Sequence, residues 1–233
     1  MLVESIRLMP YFFVSLSIEN DRVVDVTKPL NEMKSLVSLL NTSDTVTARG
    51  QEPLYSGYAA LTILNANRLH TESLYSLNRP FDSFQEANKL ACTWQTFVAA
   101  RYCFYHGVLG LQKVGRPPEV DLASHLCTIL LIDVKSSNPT SILMERNSDF
   151  WIWRVISAVL ALKRFERPLR SRCGLQLIER LHGMAVCQSK AWGKLRNVSL
   201  WCNVEDALKR IAWPDQDCED AERSWYALVG AKS

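Results

Sequence analysis

The chain has 233 residues, of which 48% are hydrophobic and 22% are charged, and its formal net charge at pH 7 is +3. This composition excludes an intrinsically disordered protein, and the length suits one large domain or two small ones. The small net charge does not favour a nucleic-acid-binding protein, because such a protein clusters its lysines and arginines on one face.

The N-terminal quarter of the chain has a weaker pattern than the rest. Residues 30–41 predict a helix, and residues 42–57 read as a loop. We therefore expect a poorly defined segment over residues 1–57, with one short helix, followed by a helical domain over residues 58–233. The apolar positions that predict the short helix are Leu30, Met33, Leu36, Val37 and Leu40.

A long helix is predicted to begin at Ser83, because Glu86 three positions later completes a capping box. Gly107 and Gly110 stand near the end of this helix and are interpreted as a helix stop, since no phosphate-binding glycine motif is present. The expected apolar and aromatic face, which also includes one arginine, consists of Leu90, Trp94, Phe97, Val98, Arg101, Tyr102, Tyr105, Val108 and Leu109.

Two further helices are predicted to be central. Residues 118–135 are apolar nearly all round. Residues 147–168, "NSDFWIWRVISAVLALKRFERP", predict a helix with Ser148 or Asp149 as its N-cap and Pro168 as its stop. Its apolar part contains an arginine and is shorter than the ~20 residues of a membrane span, so we expect a core helix and no membrane segment.

The C-terminal region predicts three more helices. The first covers about residues 169–188, the second follows Asn203 as N-cap, and the last follows Asp217 and stops at Gly230. Strands do not alternate with these helices, so the predicted fold class is all-α.

No catalytic or metal-binding motif is found. The histidines His70, His106, His125 and His182 are scattered over separate predicted helices, and the seven cysteines contain no C-x2-C pair. We interpret the cysteines as buried small hydrophobic residues in a reducing compartment. The sequence therefore predicts no enzyme activity, no cofactor and no bound zinc, and it contains no secretory signal pattern.

A basic run lies between two predicted helices, from Lys163 to Arg172. It could bind phosphate or a nuclear-import receptor, or it could be a solvated corner between helices. The solvated corner is favoured because Glu166 and Pro168 interrupt the run. The positive residues are Lys163, Arg164, Arg167, Arg170 and Arg172.

The tryptophans could line a ligand pocket or form a core. Their positions among leucines and isoleucines favour the core, and a spacing of two residues points Trp151 and Trp153 to different faces of one helix. The aromatic residues expected in this core are Trp94, Phe150, Trp151, Trp153, Trp201, Trp213 and Trp225.

Three segments together resemble the regulatory domain of fungal-specific transcription factors, the helical module that follows a zinc binuclear cluster. They are "ACTWQTFVAARYCFYHGVLG", "DFWIWRVISAVLAL" and "LWCNVEDALKRIAWPDQDCEDAERSWYALVG", and they lie within residues 83–230. The resemblance implies an irregular multi-helix fold, a nuclear location and a role in regulating transcription through protein partners. If the resemblance is set aside, the expected location is the cytoplasm.

The chain departs from that family by lacking the six-cysteine DNA-binding cluster, its basic linker and its coiled coil. We therefore expect no sequence-specific DNA binding, and either a fragment of a longer regulator or a stand-alone paralogue. The resemblance assigns neither the partner proteins nor a small-molecule effector. A second class of function also stays open, namely that of a helical small-molecule-binding protein or enzyme with an aromatic-lined pocket.

Overall fold

The computed structural model describes residues 27–42, 96–97, 99–109, 128, 131, 148–165, 172–198, 200–215 and 219–230. Helix is the regular secondary structure throughout these ranges, with no strand in them, so the fold is all-α as predicted. The elements are α1 (Thr27–Thr42), a π-helical turn (Phe104–Val108), α2 (Ser148–Phe165), α3 (Arg172–Arg196), α4 (Trp201–Ile211) and α5 (Glu219–Val229). The helical residues 96–97 and 99–103 precede the π-helical turn, and residues 96–97 and 99–109 are called the aromatic segment below.

Helix α2 is the centre of the described fold. Every residue from Ser148 to Leu162 is buried except Arg154, which is half-buried. The helix packs against the π-helical turn, α3, α4 and α5. Each large apolar side chain buried in this way contributes roughly 1.5–3 kcal/mol. The prediction of a central core helix is therefore confirmed, and none of the described helices is long and apolar enough to cross a membrane.

Four rings form the aromatic centre of this core. The ring centroid of Phe104 lies 5.2 Å from that of Trp153 and 6.2 Å from that of Trp213. Phe150 stacks on Trp153 at 5.8 Å. We call Phe104, Phe150, Trp153 and Trp213 the aromatic cluster; it joins the π-helical turn and α2 to the residues that follow α4.

The aromatic segment does not continue as a regular α-helix, because it passes into the π-helical turn at Phe104. A Cβ atom at Gly107 would lie 2.6 Å from the backbone nitrogen of Ala161 and 2.9 Å from the carbonyl oxygen of Ser157. Gly107 therefore lets the backbone of the turn approach that of α2. The interpretation of Gly107 as a helix stop is wrong, and Gly110 lies outside the described residues.

Helix α1 contributes to the same core as the C-terminal helices. Its buried side chains include the predicted Leu30, Met33, Leu36 and Val37, whereas the side chain of Leu40 lies outside those described. Its Glu32 carboxylate lies 3.1 Å from Nη2 of Arg101, and the Asn41 side chain bonds to the Asp215 carboxylate at 2.7 Å. The expected boundary between residues 57 and 58 lies outside the described residues and stays a prediction.

The C-terminal helix boundaries differ in part from those predicted. Helix α3 extends to Arg196, beyond the expected end near residue 188. The N-cap of α4 is Leu200, without a side-chain cap, so Asn203 lies inside the helix and its assignment as N-cap is wrong. The stop at Gly230 is confirmed, since its φ is +74° and its N–H bonds to the carbonyl oxygen of Tyr226 at 2.9 Å. Asp217 lies outside the described residues.

Candidate functional site

An open groove with a volume of about 480 Å³ lies between α2, α3 and α5. This volume falls within the range of about 300–1,000 Å³ that is typical of small-molecule sites. Helix α2 lines one wall, α3 another and α5 the third. The lining residues are Val159, Leu162, Lys163, Ile178, Glu179, His182, Gly183, Arg223, Ser224 and Ala227.

Helical geometry explains how each helix presents its part of the groove. On α3, Ile178 and His182 are four positions apart and so lie on the same face. On α5, Arg223 and Ala227 have the same separation. Each helix thus contributes a narrow stripe of lining residues along one face, and the groove forms where the three faces meet.

The floor of the groove is apolar. Val159 and Leu162 of α2 are buried, and Ile178 of α3 is half-buried. The lining residues that the structure describes include no Phe, Tyr or Trp. The groove therefore offers aliphatic contact, whereas the small-molecule alternative raised by the sequence has an aromatic-lined pocket.

The rim of the groove is charged and exposed. It carries Lys163 from α2, Glu179 and His182 from α3, and Arg223 from α5. Arg223 already has acidic partners on its own helix, because its Nη2 lies 3.4 Å from Glu219 and 3.2 Å from Asp220. Lys163 forms no ion pair with any described residue. Lys163 is therefore the rim cation most accessible to an anionic ligand.

Ser224 does not form a nucleophile–base pair with the rim histidine within the described residues. Its hydroxyl donates to the carbonyl oxygen of Asp220 at 2.5 Å, which is a bond within its own helix. A serine nucleophile needs a neighbouring base within hydrogen-bond reach.

Two ionic clusters with a buried charged side chain lie apart from the groove in the described part of the chain. At the start of α2, the buried Asp149 carboxylate accepts a hydrogen bond of 2.7 Å from Nε of Arg210 and lies 3.6 Å from Nη2 of Arg196. Arg196 also donates to the hydroxyl of Ser148. These contacts join the N-terminus of α2 to the C-terminal parts of α3 and α4, so we assign them a structural role.

The second cluster surrounds Arg101, whose side chain is fully buried. Its Nη2 donates to the Tyr105 hydroxyl at 2.9 Å, and its guanidinium carbon lies 5.9 Å from the Phe97 ring centroid. Burial raises the pKa of Tyr105 above its ordinary value, although the neighbouring Arg101 opposes this shift. The sequence pattern placed Arg101 on the aromatic face but gave no reason to expect an ion pair with α1.

The aromatic residues expected in the core lie there wherever the structure describes them. Phe150, Trp151 and Trp153 are buried in α2, and the other buried members are Trp201, Trp213 and Trp225. Trp94 lies outside the described residues. Trp192 is also buried, at an edge-on distance of 5.9 Å from Trp225, and the sequence reading missed it. The signal was present, because Leu181, Ala185 and Trp192 share one face of α3 once that helix is extended.

The basic run is described only at its beginning. Lys163 is exposed on α2 and lines the groove. Arg164 and Arg172 belong to helices whose bounds are described, but their side chains are not, and Arg167 and Arg170 lie outside the described residues. The phosphate, nuclear-import and solvated-corner interpretations of the run all stay predictions.

The cysteines differ from the expectation of general burial. Cys103 is buried, but Cys187 and Cys202 are exposed, because they lie on the outward faces of α3 and α4. Apolar sequence neighbours were a poor guide here, since a helix turns adjacent residues to different sides. Among the described residues, no group of three or more His, Cys, Asp or Glu is placed to hold a metal ion.

Comparison with known proteins adds no relative: no family model, no curated protein and no solved structure matches the chain.

Proposed function

We propose that the chain is a transcription-factor-like regulatory and protein-interaction domain of the fungal-specific type, without its own DNA-binding zinc cluster. It acts in the nucleus through protein partners of the transcription machinery or of a full-length regulator. It has no catalytic role and does not recognise DNA by sequence.

One packing relationship carries the proposal. Phe104 comes from the first segment that resembles the fungal module, Trp153 from the second, and Trp213 from the third. The Phe104 ring contacts both indoles, at centroid distances of 5.2 and 6.2 Å. Segments that form the signature of a single module must pack as a single unit, and the aromatic cluster meets that requirement.

A reporter assay tests the regulatory role. The full chain is fused to an unrelated sequence-specific DNA-binding module and expressed in a fungal cell that carries the matching reporter. We expect reporter output to change severalfold relative to the DNA-binding module alone. The control is the Leu200→Ala fusion, because Leu200 is 58% exposed and its loss leaves the core intact. If the fusion reaches the nucleus but leaves both an activation and a repression reporter unchanged, the proposal is wrong.

A second experiment tests the absence of sequence-specific DNA binding. The purified chain is incubated with random duplexes at physiological salt, and the bound fraction is sequenced over several rounds. Phosphate contacts alone give sequence-independent binding of about 10⁻⁴–10⁻⁶ M, so we expect no motif to be enriched. Enrichment of a defined motif would show that the chain reads DNA directly.

The alternative class, a helical small-molecule-binding protein or enzyme, has one observation in its favour. The groove has a ligand-sized volume and combines an apolar floor with a charged rim. Its described lining residues include no aromatic side chain, and Ser224 bonds within its own helix. These features support ligand binding more than catalysis.

A further inference from the structure

We propose that the groove between α2, α3 and α5 binds a small amphipathic carboxylate. The aliphatic body of the ligand lies over Val159, Leu162 and Ile178, and its carboxylate pairs with the ammonium group of Lys163. This assignment concerns ligand binding alone, so it stands or falls independently of the proposed regulatory role.

The size and lining of the groove define the body of the ligand. The volume of about 480 Å³ accommodates a molecule with an aliphatic chain of medium length. Burial of apolar surface contributes roughly 25 cal/mol per Å², so the aliphatic floor supplies the main attraction. The described lining residues supply aliphatic contact and no aromatic ring, so they do not favour the stacking of a planar ring system.

Gly183 provides independent support for an occupant. It lies inside the 25-residue helix α3, where glycine is less favourable than alanine by about 0.5–1 kcal/mol. A Cβ atom at this position would meet nothing within 4 Å, so packing within the protein does not require glycine there. The open space beside Gly183 faces the groove, and the absence of a side chain leaves room for a ligand.

The charges on the rim define the head of the ligand. Lys163 has no ion pair among the described residues, while Arg223 is held by Glu219 and Asp220. Among the described rim residues, Lys163 supplies the accessible ammonium group, which matches a singly charged head. Glu179 also lies on the rim and repels anions, so it disfavours a doubly charged head such as a phosphate. A monocarboxylate fits this arrangement best.

Isothermal titration calorimetry of the full chain with decanoate tests the proposal. We expect saturable binding of one decanoate per chain, with a dissociation constant at or below roughly 1 mM. The uncharged analogue 1-decanol has the same chain length and should bind at least threefold more weakly. Absence of saturable decanoate binding in this range overturns the proposal. Equal binding of decanol overturns the assignment of a carboxylate as the head group of the ligand.

Variants locate the site. Lys163→Met keeps the aliphatic stem but removes the charge, and it should weaken decanoate binding about threefold to tenfold without changing decanol binding. Lys190→Met is the matched control, because Lys190 is exposed on α3 and does not line the groove. The decanoate affinity of this variant should equal that of the wild type. Equal decanoate affinity in the Lys163 and Lys190 variants would overturn the pairing with Lys163.

Two further variants test the groove itself. Gly183→Trp fills the open space and should abolish binding of both ligands, with folding checked by near-ultraviolet circular dichroism. Glu179→Gln, at an exposed position that leaves the fold unchanged, removes the repulsion and should strengthen decanoate binding about twofold to threefold. Wild-type affinity in a folded Gly183→Trp chain, or weaker decanoate binding in Glu179→Gln, would show that the ligand binds elsewhere.

Discussion

The indole N–H of Trp153 donates a hydrogen bond of 2.9 Å to the carbonyl oxygen of Ala212. The two residues are 59 positions apart in the sequence. Ala212 is the C-cap of α4, with an extended backbone at φ −167° and ψ 115°. The bond therefore anchors the end of α4 to the central helix and helps to hold Trp213 in the aromatic cluster.

We first predict that Trp153→Phe destabilises the protein more than Trp151→Phe does. Both indoles are almost fully buried in α2, but Nε1 of Trp151 has no hydrogen-bond partner among the described residues. Trp153→Phe also leaves the Ala212 carbonyl without this donor, and an unsatisfied buried polar group costs about 1–3 kcal/mol. Urea denaturation of both variants measures the difference, and equal free energies of unfolding would contradict the anchoring role.

The second prediction concerns Trp213, which is 3% exposed and contacts Phe104. Truncation of a large aromatic side chain in a core costs about 3–5 kcal/mol, so Trp213→Ala should lower the free energy of unfolding by that amount. Leu200→Ala serves as the surface comparison and should change stability by about 0.5 kcal/mol or less. Unchanged thermal stability in Trp213→Ala would show that this residue is not part of the core.

The third prediction uses two glycines in different surroundings. Gly107→Ala should be destabilising by about 1–3 kcal/mol, because its Cβ would lie 2.6 Å from the backbone of Ala161 and the backbone must shift. Gly183→Ala should be stabilising by about 0.5–1 kcal/mol, because α3 gains helix propensity and nothing lies within 4 Å of the new methyl group. Chemical denaturation measures both, and changes of the same sign would contradict this account.

Tyr105 gives the fourth prediction, which concerns alkaline pH. Burial raises the pKa of Tyr105, so the folded protein favours the neutral phenol. A tyrosine in the unfolded chain ionises near pH 10. The stability that the neutral phenol contributes is thus fully present below about pH 10 and is lost as the pH rises through the higher pKa of the folded state.

Unfolding free energies measured at about pH 9 and about pH 11 test this effect. The Tyr105→Phe variant should lose less stability over that interval than the wild type, because it has no phenol to ionise at this position. The absorbance of the wild type at a tyrosinate wavelength should also show a late-titrating component that the Tyr105→Phe variant lacks. An identical pH dependence in the two proteins would exclude Tyr105 as the titrating group.

The fifth prediction is that the purified chain holds no stoichiometric zinc. The sequence has no closely spaced cysteine pair, and Cys103 is buried whereas Cys187 and Cys202 are exposed. Elemental analysis after dialysis should give far less than one zinc ion per chain, and treatment with a chelator should leave the thermal unfolding curve unchanged. One or two retained zinc ions per chain would refute the prediction.

The sequence by itself determined the fold class and most of the core. Apolar residues recur with the helical period in α1, and α2 is apolar nearly all round, so burial of Leu30, Met33 and Trp153 follows from local pattern. The stop at Gly230 follows from glycine's tolerance of positive φ. These features depend on neighbouring residues in the chain, and a sequence contains that information directly.

The tertiary structure alone decided which helical faces meet. The groove forms where lining residues from α2, α3 and α5 converge, and the residues of one helix do not indicate which other helices pack beside it. The pairing of Arg101 with Glu32 and the bond from Trp153 to Ala212 join residues 69 and 59 positions apart. The close approach of Gly107 to α2 also involves residues remote in sequence, so the local pattern does not indicate it. Such contacts are set by packing between elements, which the local pattern of hydrophobic residues does not specify.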